Sequence, residues 1–361
     1  MKVVTVVGAR PQFVKAAAVS RAIRKEMKEI LIHTGQHYDN NMSDIFFEEL
    51  SIPKPDINLG IGSETHARQT AEMMIGIEKV LLEERPEYLL VYGDTNSTLA
   101  GAIAASKLNI PIIHVEAGLR SFNRKMPEEQ NRVLTDHISS ILFCPTETAV
   151  NNLKSEGILK NVYNVGDVMC DAVLYYSRNL EQQPLQYYID RLKGIYEQKK
   201  CIDEKWYLST IHRAENTDNI EKIAEIIDAL QELPFMVIFP VHPRIKKMIR
   251  ELKLKKDYSN IYFVEPMGYL DMLYFTKHAE KAITDSGGLQ KETYILETPC
   301  ITVREQTEWV ETLEGNHNIL TRSIKNDILD SVLNTEVSKE KKDYYGVGDA
   351  AEKISGIIMR H

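Results

Sequence analysis

No apolar run in this chain of 361 residues approaches the ~20 residues needed to cross a bilayer as a helix. Cysteine is scarce. Cys144, Cys170, Cys201 and Cys300 are the only four, and no two stand at a metal-ligand spacing. That excludes a zinc ribbon or finger and leaves buried thiols in a reducing, cytoplasmic compartment as the expectation. Positive charge is in deficit: 44 Lys and Arg against 52 Asp and Glu give a net charge of −8. A general nucleic-acid surface is therefore not expected, although a few local cations suffice to hold a small anion. The first loop lacks the second and third glycines of a dinucleotide fingerprint, and it is not a P-loop. Internal repeats and low-complexity segments are absent as well. The opening MKVVTVVGARPQ runs from an apolar stretch of about six residues into a charged loop, unlike a secretory signal. It reads as a buried first strand.

What is present is a regular alternation. Short apolar runs at residues 3–7, 29–33, 88–92, 111–115 and 141–144 read as strands, and helical patterns at 12–25, 97–108 and 149–156 separate several of them. Residues 171–200 are polar, helical in pattern and rich in Gln, Lys and Tyr, as expected of a crossing between domains. A second series of strands follows at 206–211, 236–239, 261–264, 282–284 and 300–303, and a last helix at 350–359. This alternation predicts α/β architecture: two doubly wound, Rossmann-like domains with parallel sheets, facing a cleft. The expected division is 1–170, then 171–349, with 350–361 as a terminal helix able to pack back on the N-terminal domain. A chain of this length exceeds one ordinary core.

In doubly wound sheets, ligands bind at the carboxyl ends of strands. The unusual polar residues fall there. Gly8-Ala9-Arg10-Pro11-Gln12-Phe13-Val14-Lys15 follows the first strand, and its cations lie near a helix N-terminus, which favours anions. Gly93-Asp94-Thr95-Asn96-Ser97 and His114-Val115-Glu116-Ala117-Gly118 end two more strands, and Met126-Pro127-Glu128-Glu129-Gln130-Asn131-Arg132 closes the next loop. Asp94 alone reads as a helix cap, and Pro127 followed by two acids as a plain helix start. Three carboxylates, Asp94, Glu116 and Glu128, on consecutive loops at one sheet edge instead offer acid and base groups whose pKa values can be driven apart. In the second series, His212-Arg213, His242-Pro243-Arg244 and Thr284-Asp285-Ser286-Gly287-Gly288-Leu289-Gln290-Lys291-Glu292 follow strands. Ser-Gly-Gly opening a helix presents backbone N–H groups to a phosphate, and Glu292, about one turn further on, is placed to accept from ribose hydroxyls. Arg304 and Glu308 follow the last strand of the series.

Taken in order, GARPQFVK, GDTNST, HVEAGLRS, PEEQNR, TIHRAEN, FPVHPR and TDSGGLQKE resemble the non-hydrolysing UDP-N-acetylglucosamine 2-epimerases over nearly the whole chain. The resemblance implies a two-domain fold like that of the GT-B glycosyltransferases. It assigns Asp94, Glu116, Glu128 and His212 to catalysis, and Arg10, Lys15, Arg213, Ser286, Gly287, Gly288 and Glu292 to UDP, with His242 and Arg244 either binding ligand or shaping the cleft. It implies that UDP is eliminated across C1–C2 to leave 2-acetamidoglucal and then re-adds after protonation on the opposite face. Arg10, His212, Arg213 and the 286–288 helix end would stabilise the departing diphosphate, and the carboxylates would move the C2 proton. No cofactor and no metal are needed. A homodimer in the cytoplasm, without nucleic-acid or membrane partners, supplying cell-surface polysaccharide precursors, completes the expectation.

The chain departs from the family pattern at three places. GARPQ stands for the common GTRPE, Thr307-Glu308-Trp309-Val310-Glu311 for TERPE, and Gln36-His37-Tyr38-Asp39-Asn40-Asn41 for the segment through which some members are activated by their own substrate. These variants resemble the branch acting on UDP-2,3-diacetamido-2,3-dideoxyglucuronic acid. A GT-B glycosyltransferase, a hydrolysing epimerase and a catalytically silent sugar-nucleotide sensor are the rival readings. The clustered acids Glu116 and Glu128 favour epimerisation over transfer, and Asp94, Glu116, Glu128 and His212 together argue against a silent sensor; against the hydrolysing reading there is only the lack of an added kinase domain or an obvious water-activating motif.

Overall fold

The computed structural model describes the chain except residues 36–49, 51, 63, 197–201, 203 and 255 and the side chains of Arg10 and Pro11. The 36–41 segment and Cys201 thus lie outside the described residues. The chain forms two compact units, Met1–Ala172 with Asp343–His361, and Val173–Lys342.

In the first unit, β1 (Lys2–Val7), β2 (Lys28–His33), β3 (Ile57–Asn58), β4 (Tyr88–Tyr92), β5 (Ile112–Val115), β6 (Ile141–Cys144) and β7 (Val162–Asn164) form one sheet. Its order is β3-β2-β1-β4-β5-β6-β7, and every pairing is parallel. Helices on both faces bury the central strands, which explains their unbroken apolar runs. Val3, Val4, Val6 and Val7 have no exposure. The second unit repeats the plan with β8 (Trp206–Thr210), β9 (Met236–Pro240), β10 (Ile261–Val264), β11 (Lys281–Thr284), β12 (Cys300–Val303) and β13 (Asn318–Thr321). Its order is β10-β9-β8-β11-β12-β13, again all parallel. Both units are therefore Rossmann-like, as the alternation predicts. In each, the strand order reverses at one place, between β1 and β4 and between β8 and β11, and the loops diverging there leave the crevice where such sheets take their ligands.

Three strands escape sequence reading: β3, β7 and β13. All three lie at sheet edges, have two to four residues and carry half-exposed positions. They lack the apolar run that marks a strand buried on both faces. The stretch read as a crossing contains, among its described residues, the helix Leu185–Arg191 and most of the helix Val168–Leu180.

The terminal helix Ala350–Ile358 belongs to the first unit. It packs on the helix Arg10–Ile23, burying Ile354 and Ile358, with Lys25 and Glu352 paired outside at 2.8 Å. The Asp171 carboxylate accepts from the N–H groups of Ala350 (3.1 Å) and Ala351 (2.7 Å), two of the donors that a helix start leaves without partners. The adjoining backbone is tied as well: Asp167 N–H donates to the Tyr345 carbonyl at 2.9 Å. Replacing Asp171 with Ala is expected to cost about 1 kcal/mol of local stability, the usual value of a lost cap. Hydrogen exchange at the amides of Ala350, Ala351 and the following turn should then quicken roughly fivefold; unchanged exchange would mean that packing alone holds the helix.

Candidate active site

At the β1/β4 switch point, the loops are fitted closely to each other. A Cβ on Gly8 would lie 2.0 Å from the Ser97 hydroxyl and 2.4 Å from that of Thr34, so only glycine lets the helix Asn96–Lys107 approach this closely. Gln12 is the wedge between the loops. Its amide oxygen accepts from the N–H groups of Gly8 (2.8 Å) and Ala9 (3.1 Å). Its amide nitrogen donates to the Tyr92 carbonyl (2.8 Å) and to the Thr95 and Thr98 hydroxyls (3.0 Å each). A carboxylate at this position has no proton for the Tyr92 carbonyl, which gives the Gln of GARPQ a physical meaning.

Three of the predicted residues meet here. Lys15 and Glu116 form a buried ion pair that nests against Gly93, where a Cβ would stand 3.1 Å from the Glu116 carboxylate. Asp94, on the loop after β4, pairs with Arg132. Each carboxylate thus has its own cation. Arg132 also reaches Glu129 at 2.8 Å. Burial opposes the Arg132 charge, but Asp94 and Glu129 outweigh it and raise its pKa. Glu129, not Glu128, is the anchored acid of the pair: it accepts from Ser121 N–H (2.8 Å), the Ser121 hydroxyl (2.9 Å) and Phe122 N–H (2.9 Å). Burial would raise its pKa, yet these donors and Arg132 hold it below the usual carboxylate range. Glu128 stands exposed in the first turn of the helix Pro127–Ile138, apart from the paired set. Arg10 opens the helix after β1; its side chain lies outside the described residues.

In the second unit, one carboxylate organises the switch point. Asp285, without exposure, accepts from the N–H groups of His212 (3.0 Å) and Arg213 (2.9 Å) and from the Asn216 amide (3.0 Å). The His212 ring lies 5.7 Å from that of His242. Burial, helped by Arg213, His242 and Arg304 and opposed by Asp285, lowers the His212 pKa; burial and Arg244 lower that of His242. Both shifts favour the neutral imidazole. His242 Nδ1 accepts from Arg244 N–H at 3.2 Å, while the Arg244 guanidinium turns to Asp218 at 2.5 Å. Ser286 caps the helix Gly287–Leu296, and the amides of Gly287 and Gly288 lie in its first turn. Arg213 and Glu308 approach to 3.6 Å, and a Cβ on Gly287 would meet Glu308 at 2.7 Å. Arg304 closes the set, 2.9 Å from Glu308. Lys291 sits 4.0 Å over the Trp309 ring, a cation–π contact. Glu292 lies a turn deeper, facing Lys291 and the Tyr269 hydroxyl.

Sequence reading gave no role to Asp285, Arg132, Glu129 or Gln12. An Asp at the end of a strand buried on both faces is the signal that could have marked Asp285. For Arg132 it is the i, i+3 spacing from Glu129 on a helix.

Two Rossmann-like units, with a Ser-capped Gly-Gly helix start at the switch point of one and cation-paired carboxylates at that of the other, define an α/β protein of the doubly wound class. The model of the UDP-N-acetylglucosamine 2-epimerase family matches residues 21–359, and the chain belongs to that family. A Methanococcus maripaludis protein named as a UDP-N-acetylglucosamine 2-epimerase homolog is 52% identical over 99% of both chains. The UDP-2,3-diacetamido-2,3-dideoxy-D-glucuronate 2-epimerase of Pseudomonas aeruginosa is 46% identical over 100% of both. The crystal structure of Methanocaldococcus jannaschii UDP-GlcNAc 2-epimerase, in complex with UDP-GlcNAc and UDP, aligns with a TM-score of 0.86 at 44% identity, covering 100% of each chain. A GT-B glycosyltransferase of Glycyrrhiza uralensis aligns with a TM-score of 0.63 at 10% identity, covering 99% of this chain and 91% of that one; that likeness concerns fold alone.

Burial pushes the Glu292 carboxyl up from 4.5 to about 7, with Lys291 and the Tyr269 hydroxyl opposing. A carboxyl raised in the folded state contributes stability that is complete below its unfolded pKa and lost as pH rises through the folded one. Replacing Glu292 with Gln removes that loss. The variant should gain in thermal midpoint on the wild type between about pH 5 and about pH 8, and a difference that stays constant over this range counts against the raised carboxyl.

Proposed function

We propose that the protein interconverts UDP-GlcNAc and UDP-ManNAc by the non-hydrolysing route. The observation that carries this reading is the buried Lys15–Glu116 pair beside the Asp94–Arg132 pair at the β1/β4 switch point, in a chain of this family. The C2 proton of the sugar is not acidic, so it leaves together with the C1–O bond. A carboxylate takes the proton, UDP carries off the electron pair of the C1–O bond, and 2-acetamidoglucal with its C1–C2 double bond remains. In the return step a UDP oxygen bonds to C1 and a proton reaches C2 from the opposite face. Asp94, Glu116 and Glu128 are the acid–base groups and His212 completes the catalytic set. Lys15 is the cation paired with Glu116 within this set.

The second unit holds UDP in this reading. The Gly287 and Gly288 amides, Ser286 and Arg213 receive the diphosphate, joined by His242 and Arg244, and Glu292 receives the ribose. A preorganised donor set of this kind stabilises charge as it develops on the leaving group. None of these steps calls for a cofactor or metal. A cytoplasmic homodimer that supplies precursors for surface polysaccharide is part of the same proposal. Among the described residues, no helix is long and apolar enough to cross a membrane.

A second sugar has support of its own. The relative at 46% identity acts, by its name, on UDP-2,3-diacetamido-2,3-dideoxy-D-glucuronate, and the same C2 chemistry applies to it. Incubation with each UDP-sugar in D2O, followed by NMR, separates the two. The expected result is the C2 epimer of UDP-GlcNAc carrying deuterium at C2, with little free sugar. Turnover of the uronate alone transfers the assignment to that sugar; free ManNAc would indicate hydrolysis instead. Asp94→Asn and Glu116→Gln should each lower kcat by roughly a hundredfold or more.

A further inference from the structure

We propose that His114 and Asp136, with Arg120, are positioning residues that set the spacing of the Asp94 and Glu116 loops; the proposal rests on the 2-epimerase reading. His114 is one residue from the end of β5 and has no exposure. Both of its ring nitrogens are committed: Nε2 lies 2.8 Å from the Gly93 carbonyl and Nδ1 lies 2.7 Å from Asp136. The Gly93 carbonyl belongs to the peptide that leads into Asp94. Asp136 comes from the helix Pro127–Ile138 and is 1% exposed. Its second oxygen accepts from Gly118 N–H at 3.1 Å and from Arg120 at 2.7 Å. Gly118 is two residues beyond Glu116. One buried carboxylate therefore holds the peptide before one acid–base residue and the backbone just after the other.

The held backbone would not keep this shape by itself. Gly93, Glu116 and Gly118 have φ of 61°, 70° and 80°. Glu116 is the one among them with a Cβ, and this left-handed conformation is disfavoured for such a residue. Glu116 and Ala117 both donate their N–H groups to the Phe143 carbonyl at 3.0 Å, which pins the turn from below while Asp136 pins it from the side. Arg120 offsets the buried charge of Asp136 and is itself held at 2.6 Å by Glu156. With this arrangement intact, Glu116 turns toward Lys15 and Gly93. Loosening it shifts both carboxylates, and a displacement of about an ångström is enough to cost on the order of a hundredfold in rate.

Two substitutions separate the links. Asn places an amide where the His Nδ1 lies, so His114→Asn keeps the bond to Asp136 and frees Gly93. Gln reaches as far as Nε2, so His114→Gln keeps Gly93 and releases Asp136. Each is assayed in the full chain on whichever UDP-sugar the wild type epimerises, with UDP affinity by calorimetry and thermal unfolding alongside. The expected result is a fall in kcat of about tenfold or more, with KM and UDP affinity within about twofold, while the thermal midpoint falls because a buried partner is left unsatisfied. Wild-type kcat in either folded variant overturns the proposal. So does a loss of UDP affinity in step with thermal midpoint, which marks a merely structural role. If a His114 variant does not fold, Arg120→Lys, which keeps the charge but reduces the donors at Asp136, is read by the same criteria. A wild type that epimerises neither sugar removes the reaction and this proposal together, an outcome distinct from an active wild type with unaffected variants.

Discussion

A carboxylate buried among backbone N–H groups is the interaction on which the functional half of each unit depends. Parallel strands end in loops whose amides have no sheet partner, and such amides are costly to bury unsatisfied. Asp285 meets this need for His212 and Arg213, Glu129 for Ser121 and Phe122, and Asp136 for Gly118. In each case the acceptor comes from a different segment than the donors. The loop geometry is thus fixed by tertiary structure.

The same economy governs the side chains. Isolated buried charges are expensive, so ionised groups near the interior come paired. Lys15 with Glu116, Arg132 with Asp94 and Arg304 with Glu308 follow that rule. A pairing of this sort also prepares chemistry, because a ligand that draws away the cation leaves a carboxylate with a stronger claim on a proton.

The sequence announced the central strands because burial on both faces demands runs such as residues 3–7 and 88–92. It was silent on β3, β7 and β13, which stand at the sheet edges and tolerate Asn and Tyr. Within the site, the residues at strand ends were legible as a set. Strand ends bring loops to one edge, and the family's motifs fall there. The partners were not legible. Arg132 meets Asp94 across 38 positions of sequence and Asp285 meets His212 across 73, and no local spacing encodes such a meeting. Glu128 and Glu129 are adjacent and alike in composition, yet one is exposed and the other almost fully buried. Only the helix phase separates them.

The return of residues 343–361 to the first unit has a consequence for how the protein is made. Domains usually fold in order as they leave the ribosome. Here the unit that begins first is completed last, since the surface of the helix Arg10–Ile23 stays uncovered until the terminal helix emerges. The second unit is in effect an insertion that closes on itself while the first waits. A chain broken off shortly before residue 343 would carry every strand-end loop described above and still lack the piece that seals the unit bearing the paired carboxylates.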